Sequence, residues 1–250
     1  MKKRIETFEK SLPIFKQFED KGCLRRVSAV GSIGQIYGRV ERAFTNEGLI
    51  KPKPKVIFVM GGPGAGKGTQ CGKLLKKYSN LDSFSCGDLL RAKAKEDTEE
   101  GKALGKLMAE GQLVSSETTV GLMQEYMEKS SKNIFLADGF PRNQENIDVW
   151  TKQMADKVDF QFLLWFDLAS DTMLERLLYR ASQSTEKRAD DKEEIMKKRI
   201  ATFESSIPIF KQYEDAGGIR KIDAKGELEE IFVNVENTFV DAGLVEKVVP

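Results

Sequence analysis

Residues 56–60 (VIFVM) form an unbroken apolar run that leads straight into GGPGAGKGTQ at 61–70. A continuous run of strand-forming residues suits a strand buried on both faces, as in a parallel sheet. The helical stretch CGKLLKKY follows, so the order is strand, glycine loop, helix. Glycines let successive backbone N–H groups turn inward on phosphate oxygens, and the helix N-terminus adds partial positive charge. Gly61, Gly66 and Lys67 match the spacing of a phosphate-binding loop, and Lys67 can reach the β- and γ-phosphates of a nucleotide. Gly68 stands where the general pattern has Ser or Thr, with Thr69 one place later. Further apolar runs at 134–137 and 161–167 alternate with helical stretches, which predicts an α/β fold.

The chain also repeats itself. Residues 1–50 align without gaps onto residues 196–245: MKKRIETFEKSLPIFKQFEDKG matches MKKRIATFESSIPIFKQYEDAG, and QIYGRVERAFTNEGL matches EIFVNVENTFVDAGL. Such a match marks a duplication. Each copy reads as helix, short strand and helix, with the helix of 196–216 broken by Pro208 and stopped by Gly217 and Gly218. A phosphate loop precedes the second copy only. Residues 1–50 therefore read as the C-terminal remnant of an upstream repeat, with an accessory helical arm as the alternative, 51–55 (KPKPK) as an extended linker, and 56–245 as a complete domain. Such a remnant lacks a sheet of its own, so it is expected to dock on other repeats or on a swapped partner, or to stay partly loose.

A net charge of +1 supplies no field for nucleic acid or membrane, and no apolar run is long enough to span a bilayer. Cys23, Cys71 and Cys86 show no metal or disulfide spacing, which suits a reducing, cytoplasmic setting. The 250 residues contain no histidine. Serine–histidine and cysteine–histidine nucleophile schemes are thereby excluded, and so are histidine metal sites.

Several further segments carry a resemblance. GGPGAGKGTQ, with Gly after the lysine, resembles the loop of nucleoside monophosphate kinases, the adenylate and UMP-CMP kinases. SCGDLLR (85–91), EGQLVSSE (110–117), LADGFPRNQENIDVW (136–150), RLLYR (176–180), RADD (188–191) and KKRI (197–200) resemble that family's further segments in order. The resemblance runs from Lys55 to Val245. It implies a five-stranded parallel sheet wrapped by helices, a monophosphate-binding region at 85–114 and a short lid at 181–190. Arg188 stands eight positions after Arg180, too close for a long lid with a four-ligand metal site.

The implied reaction is ATP plus nucleoside monophosphate giving ADP plus nucleoside diphosphate. Two polyanions must meet, so cations are required. The resemblance places Lys67, Arg142, Arg180, Arg188 and Arg199 in catalysis. ATP falls to Gly64, Ala65, Gly66, Lys67, Gly68, Thr69, Arg176, Arg180 and Gly226. The monophosphate falls to Cys86, Arg91, Gln112, Leu113, Val114, Gly139, Phe140, Pro141, Arg142, Asn146, Arg188 and Arg199. Arginine forks match phosphate oxygens in bidentate fashion. No general base is needed, because a monophosphate is largely dianionic at neutral pH. Magnesium is expected with ATP, near Thr69 and, mainly through water, near Asp138. The pair Asp190–Asp191 is expected to close the lid.

Trp150 and Trp165 are expected in the core, Cys71 inside a helix and Cys86 in a pocket wall. Asn146, four residues after Arg142, is a short amide of the kind UMP-CMP kinases carry, whereas adenylate kinases carry the longer Gln. RLLYR and EGQLV lean toward adenylate kinases. UMP and CMP are the favoured acceptors, with AMP as the alternative. A GTPase is excluded, since NKxD and a Ser or Thr after the lysine are both missing. A non-catalytic nucleotide-binding repeat would be expected to lose arginines, and none is lost. The protein is expected to act as a monomer.

Overall fold

The computed structural model describes residues 2–49, 53–109, 114–183, 192–215 and 217–246. They fall into two compact units, one of residues 53–238 and one in which residues 2–49 join 239–246.

The smaller unit contains α1 (Lys2–Asp20) and α2 (Ile33–Asn46). A capping box starts α2: the Ser32 hydroxyl accepts from the Gln35 N–H, and the Gln35 side chain accepts from the Ser32 N–H. The same helix leans on residues 240–246. Ser32 Oγ donates to the Asp241 carbonyl at 2.9 Å, and Arg42 pairs with Glu246 at 2.8 Å. Gly38 is required there, because a β-carbon would stand 2.8 Å from the Gly243 carbonyl oxygen.

The larger unit contains β1 (Lys55–Gly61), α3 (Lys67–Lys77), β2 (Leu81–Ser85), α4 (Cys86–Ala94), α5 (Glu99–Ala109) and α6 (Ser116–Lys129). It continues with β3 (Ile134–Asp138), α7 (Gln144–Met154), β4 (Asp159–Asp167), α8 (Ser170–Gln183), α9 (Glu193–Asp215), β5 (Ile219–Asp223) and most of α10 (Leu228–Asp241). The five strands are parallel in the order β2-β3-β1-β4-β5. The chain thus moves to one side of β1 for β2 and β3 and to the other for β4 and β5. A ligand crevice is expected where such an order reverses, at the carboxyl ends of the central strands.

The core forms around the middle strand. Val56, Ile57 and Val59 are fully buried. The Phe58 ring stacks edge-on with Phe140 and Trp150, at centroid distances of 5.2 and 5.1 Å. Trp150 is buried, and Trp165 packs edge-on against Phe210 with the Lys221 ammonium over its ring. Trp150 is a core residue, as expected, whereas Trp165 is only half-buried and packs against the core from its edge.

Three expectations are corrected. Lys55 is the first residue of β1 rather than part of a linker. The helix around Pro208 is unbroken from Glu193 to Asp215. Proline removes one N–H and so leaves the Glu204 carbonyl without its helical donor, a local cost. Burial of Met196, Ile200 and Phe210 along one helix face offsets it. Finally, the second copy forms the expected strand, β5, but residues 23–30 of the first copy form none. A short strand depends on ladder partners, and β5 has β4 beside it.

Candidate active site

The glycine loop bridges the end of β1 and the N-terminus of α3. Gly64 and Gly66 have φ of +82° and +84°, in the left-handed region open to glycine. Gly64 is also crowded: a β-carbon would lie 2.9 Å from the Met173 carbonyl oxygen on α8. Lys67, the first residue of α3, curls back over the loop, and its ammonium donates to the carbonyls of Gly61 (2.8 Å) and Gly62 (3.2 Å).

Strand register puts Asp138 opposite Val59, so its carboxyl sits next to the end of β1. Burial pushes the Asp138 carboxyl above the usual carboxylate range, while the charges of Lys67 and Arg142 pull it back down. Burial likewise lowers the Lys67 ammonium, and Asp138 opposes that shift. Each charge therefore opposes the effect of burial on the other. One Asp138 oxygen, Oδ1, is buried without a hydrogen-bond partner among the described residues. A buried orphan acceptor costs free energy and marks a place where a donor belongs.

A cleft of about 520 Å³ opens at this end of the sheet, and Lys67, Arg91, Gly139, Arg142 and Arg199 all line it. They come from α3, α4, the β3–α7 loop and α9, so four separate stretches of sequence converge on one space. Arg142 is anchored twice: Nε donates to the Gly139 carbonyl at 3.0 Å, and the backbone N–H donates to Asn146 Oδ1 at 2.9 Å. Asn146 Nδ2 in turn donates to Ser116 Oγ at 2.8 Å. A backbone N–H can only donate, so the amide oxygen must face Arg142 and the amide nitrogen must face Ser116. Cys86 opens α4 and is buried, and burial pushes its thiol up to about 12. It packs in the core cluster with Phe84 and Phe140 and is not among the residues that line the cleft, and a thiol raised in this way is a poor nucleophile.

A family model described as "Adenylate kinase" matches residues 59–218 of this chain. UMP-CMP kinases of Bos taurus and Homo sapiens are each 42% identical over 198 residues, which covers 76% of this chain and 100% of theirs. The UMP-CMP kinase of Danio rerio is 41% identical over 192 residues, covering 74% and 96%.

The chain belongs to the adenylate kinase family of nucleoside monophosphate kinases.

Within the kinase fold the other anticipated residues scatter more widely. Arg176 on α8 donates to the Ala224 carbonyl at 2.9 Å, two residues before Gly226, whose φ is +132°. Arg180 is exposed in the last turn of α8, and Gly68 and Thr69 are exposed in the first turn of α3. Ala65 is buried, and Val114 is half-buried just before α6. Phe140 and Pro141 are buried, and Phe140 packs on Phe58 and Trp150 as core. Cys71 is buried within α3, as expected. Gln112, Leu113, Arg188 and Asp190–Asp191 lie outside the described residues.

The cleft also contains residues that sequence reasoning did not single out. Lys198, Thr202 and Ser206 line it from α9. Their spacing of four residues in a segment already marked by Arg199 is the signal that could have found them. Ser116 lies 30 residues from Asn146, and nothing in the spacing links the two. Gln70 is buried behind the loop, with Nε2 on the Leu228 carbonyl at 3.0 Å and Oε1 without a partner among the described residues.

Proposed function

We propose that this kinase transfers the terminal phosphoryl group of ATP to UMP or CMP. The convergence of Lys67, Arg91, Arg142 and Arg199 on one cleft carries the reading. Gly64 to Thr69 would cradle the ATP phosphates, with Arg176, Arg180 and Gly226 on the same nucleotide. Arg91 and Arg142 would hold the acceptor phosphate, and Arg199 and Arg188 would close over the group in flight. Such a reaction needs alignment and charge stabilisation rather than a proton acceptor. That agrees with a chain that has no histidine.

Magnesium fits the donor set. Among the described residues no cluster of three or more acidic or cysteine ligands exists, so a cation would be held mostly by nucleotide phosphates and water. The orphaned Asp138 Oδ1 would accept from such a water, and the Thr69 hydroxyl stands in the first turn of α3. When bound, the ion would neutralise phosphate charge.

The pyrimidine preference rests on Asn146, a short amide with both polar atoms tied to the protein, and on similarity to UMP-CMP kinases across their full length. A coupled assay with AMP, UMP, CMP and dCMP, ATP being the donor, tests it. Turnover of AMP far above UMP and CMP would reject the pyrimidine assignment. Among the described residues no helix is long and apolar enough to cross a membrane. A cytoplasmic, monomeric enzyme is part of the same proposal.

A further inference from the structure

Helix α1 is a second version of α9, the helix that brings Arg199 to the cleft. Over residues 2–20 and 197–215 the two differ at four positions: Glu6 for Ala201, Lys10 for Ser205, Leu12 for Ile207, and Phe18 for Tyr213. The first two fall where α9 is exposed, and the other two exchange one large apolar side chain for another. The face that α9 turns inward is otherwise kept residue for residue. In α9 that face is covered: Ile200 and Phe210 are buried, Phe210 sits edge-on to Trp165, and Tyr213 lies 5.5 Å from Phe160. In α1 the same face is bare. Ile5 is 53% exposed against 6% for Ile200, and Phe15 is 38% exposed against 0% for Phe210. No residue of α1 is buried, and a groove of about 680 Å³ runs along Phe8, Leu12 and Phe15. A bare contiguous apolar face of this kind marks an interaction surface. Its chemistry names the partner, since the face was shaped for a kinase sheet.

We propose that α1 is a second arginine-bearing helix for a kinase site. Its apolar face seats on β1 and β4 of a second copy of this kinase wherever the α9 seat of that copy is open, and it brings Arg4 to the place of Arg199. The inference rests on the role given to Arg199 above. In an intact copy α9 is tethered beside its seat, which gives it an effective concentration on the order of millimolar. Loss of a buried phenylalanine weakens a helix seat on the order of a thousandfold, enough to let a free α1 compete at micromolar concentration.

The test mixes two full-length chains. One carries Arg4→Ala, Arg199→Ala and Phe210→Ala, so its phosphate loop is intact but its seat is weakened and both arginines are gone. The other carries Lys67→Ala, so its loop is disabled but its α1 is intact. Turnover of the mixture is expected to exceed the sum of the separate chains at least tenfold, on the scale of one restored charge-stabilising donor. It should saturate with the second chain and vanish when Arg4→Ala is added to that chain. No gain on mixing, or a gain indifferent to Arg4, overturns the proposal. ATP binding by the first chain reports that it is folded. Should Phe210→Ala prevent folding, Phe210→Leu takes its place. The single variant Arg199→Ala separates the two readings. If it leaves turnover unchanged, the role of Arg199 is wrong and both fall. If it lowers turnover and the mixture still shows no gain, only the role of α1 falls.

Discussion

The backbone N–H of Arg142 donates to the side-chain oxygen of Asn146 at 2.9 Å, and that contact ties an arginine of the cleft to a buried amide. The amide is held in turn by the hydroxyl of Ser116, which is also buried. Ser116→Ala removes one neutral hydrogen bond, worth about 1 kcal/mol. The KM for the monophosphate is expected to rise roughly fivefold from that loss, with the KM for ATP unchanged. Steady-state kinetics with each substrate varied in turn checks this. An equal rise in both KM values would mean that Ser116 supports the whole domain rather than the acceptor side.

Lys67 presents a sharper case. Its ammonium is held by two loop carbonyls, so it is positioned before any phosphate arrives. Lys67→Met keeps the length and removes the charge. The turnover number is expected to fall about 10²- to 10³-fold, the usual cost of losing one fixed charge-stabilising donor. ATP affinity should fall less, because the backbone cradle and the α3 terminus remain. Turnover and ATP binding measured on the same variant separate the two effects.

Gly64 offers a prediction from packing. Its left-handed φ and the Met173 carbonyl 2.9 Å from an added β-carbon both oppose any side chain. Gly64→Ala is expected to cost about 1–3 kcal/mol of stability from backbone strain alone. Gly68→Ala, with nothing within 4 Å of its β-carbon, is expected to leave stability nearly unchanged. Denaturant titration of the pair checks the contrast.

How much of this was readable from sequence depended on what each element leans on. Strands β1, β3 and β4 were legible because all three are interior strands, and their burial on both faces writes a continuous apolar run. Strand β2 was not singled out: LDSFS is a short edge strand with mixed burial, and its composition alone resembles a turn. The strand expected in residues 23–30 failed for the converse reason, since the pattern was present but a ladder partner was not. The site behaved the same way. Lys67, Arg91, Arg142 and Arg199 were found through local segments, and all four line the cleft. The Asn146–Ser116 contact joins α7 to α6, and a contact of that separation leaves no periodic trace in the chain.

Asp138 gives the last prediction, and the sign follows from its environment. Burial raises its carboxyl above the ordinary value, so the folded protein holds that proton more tightly than the unfolded chain does. Stability from this group is then fully present below the unfolded carboxylate range and is lost as pH rises through the folded value. Ionising Asp138 therefore costs the nucleotide-free folded protein stability. Asp138→Asn removes that cost. The variant without nucleotide is expected to melt higher than the parent near pH 7, with the gap narrowing as pH falls toward 4. Turnover should drop about 10- to 100-fold, because the acceptor oxygen proposed to hold magnesium-bound water is gone. Thermal melts at several pH values, paired with turnover, decide the matter: a variant that melts lower than the parent at pH 7 would mean that the charge pair with Lys67 outweighs the burial of Asp138.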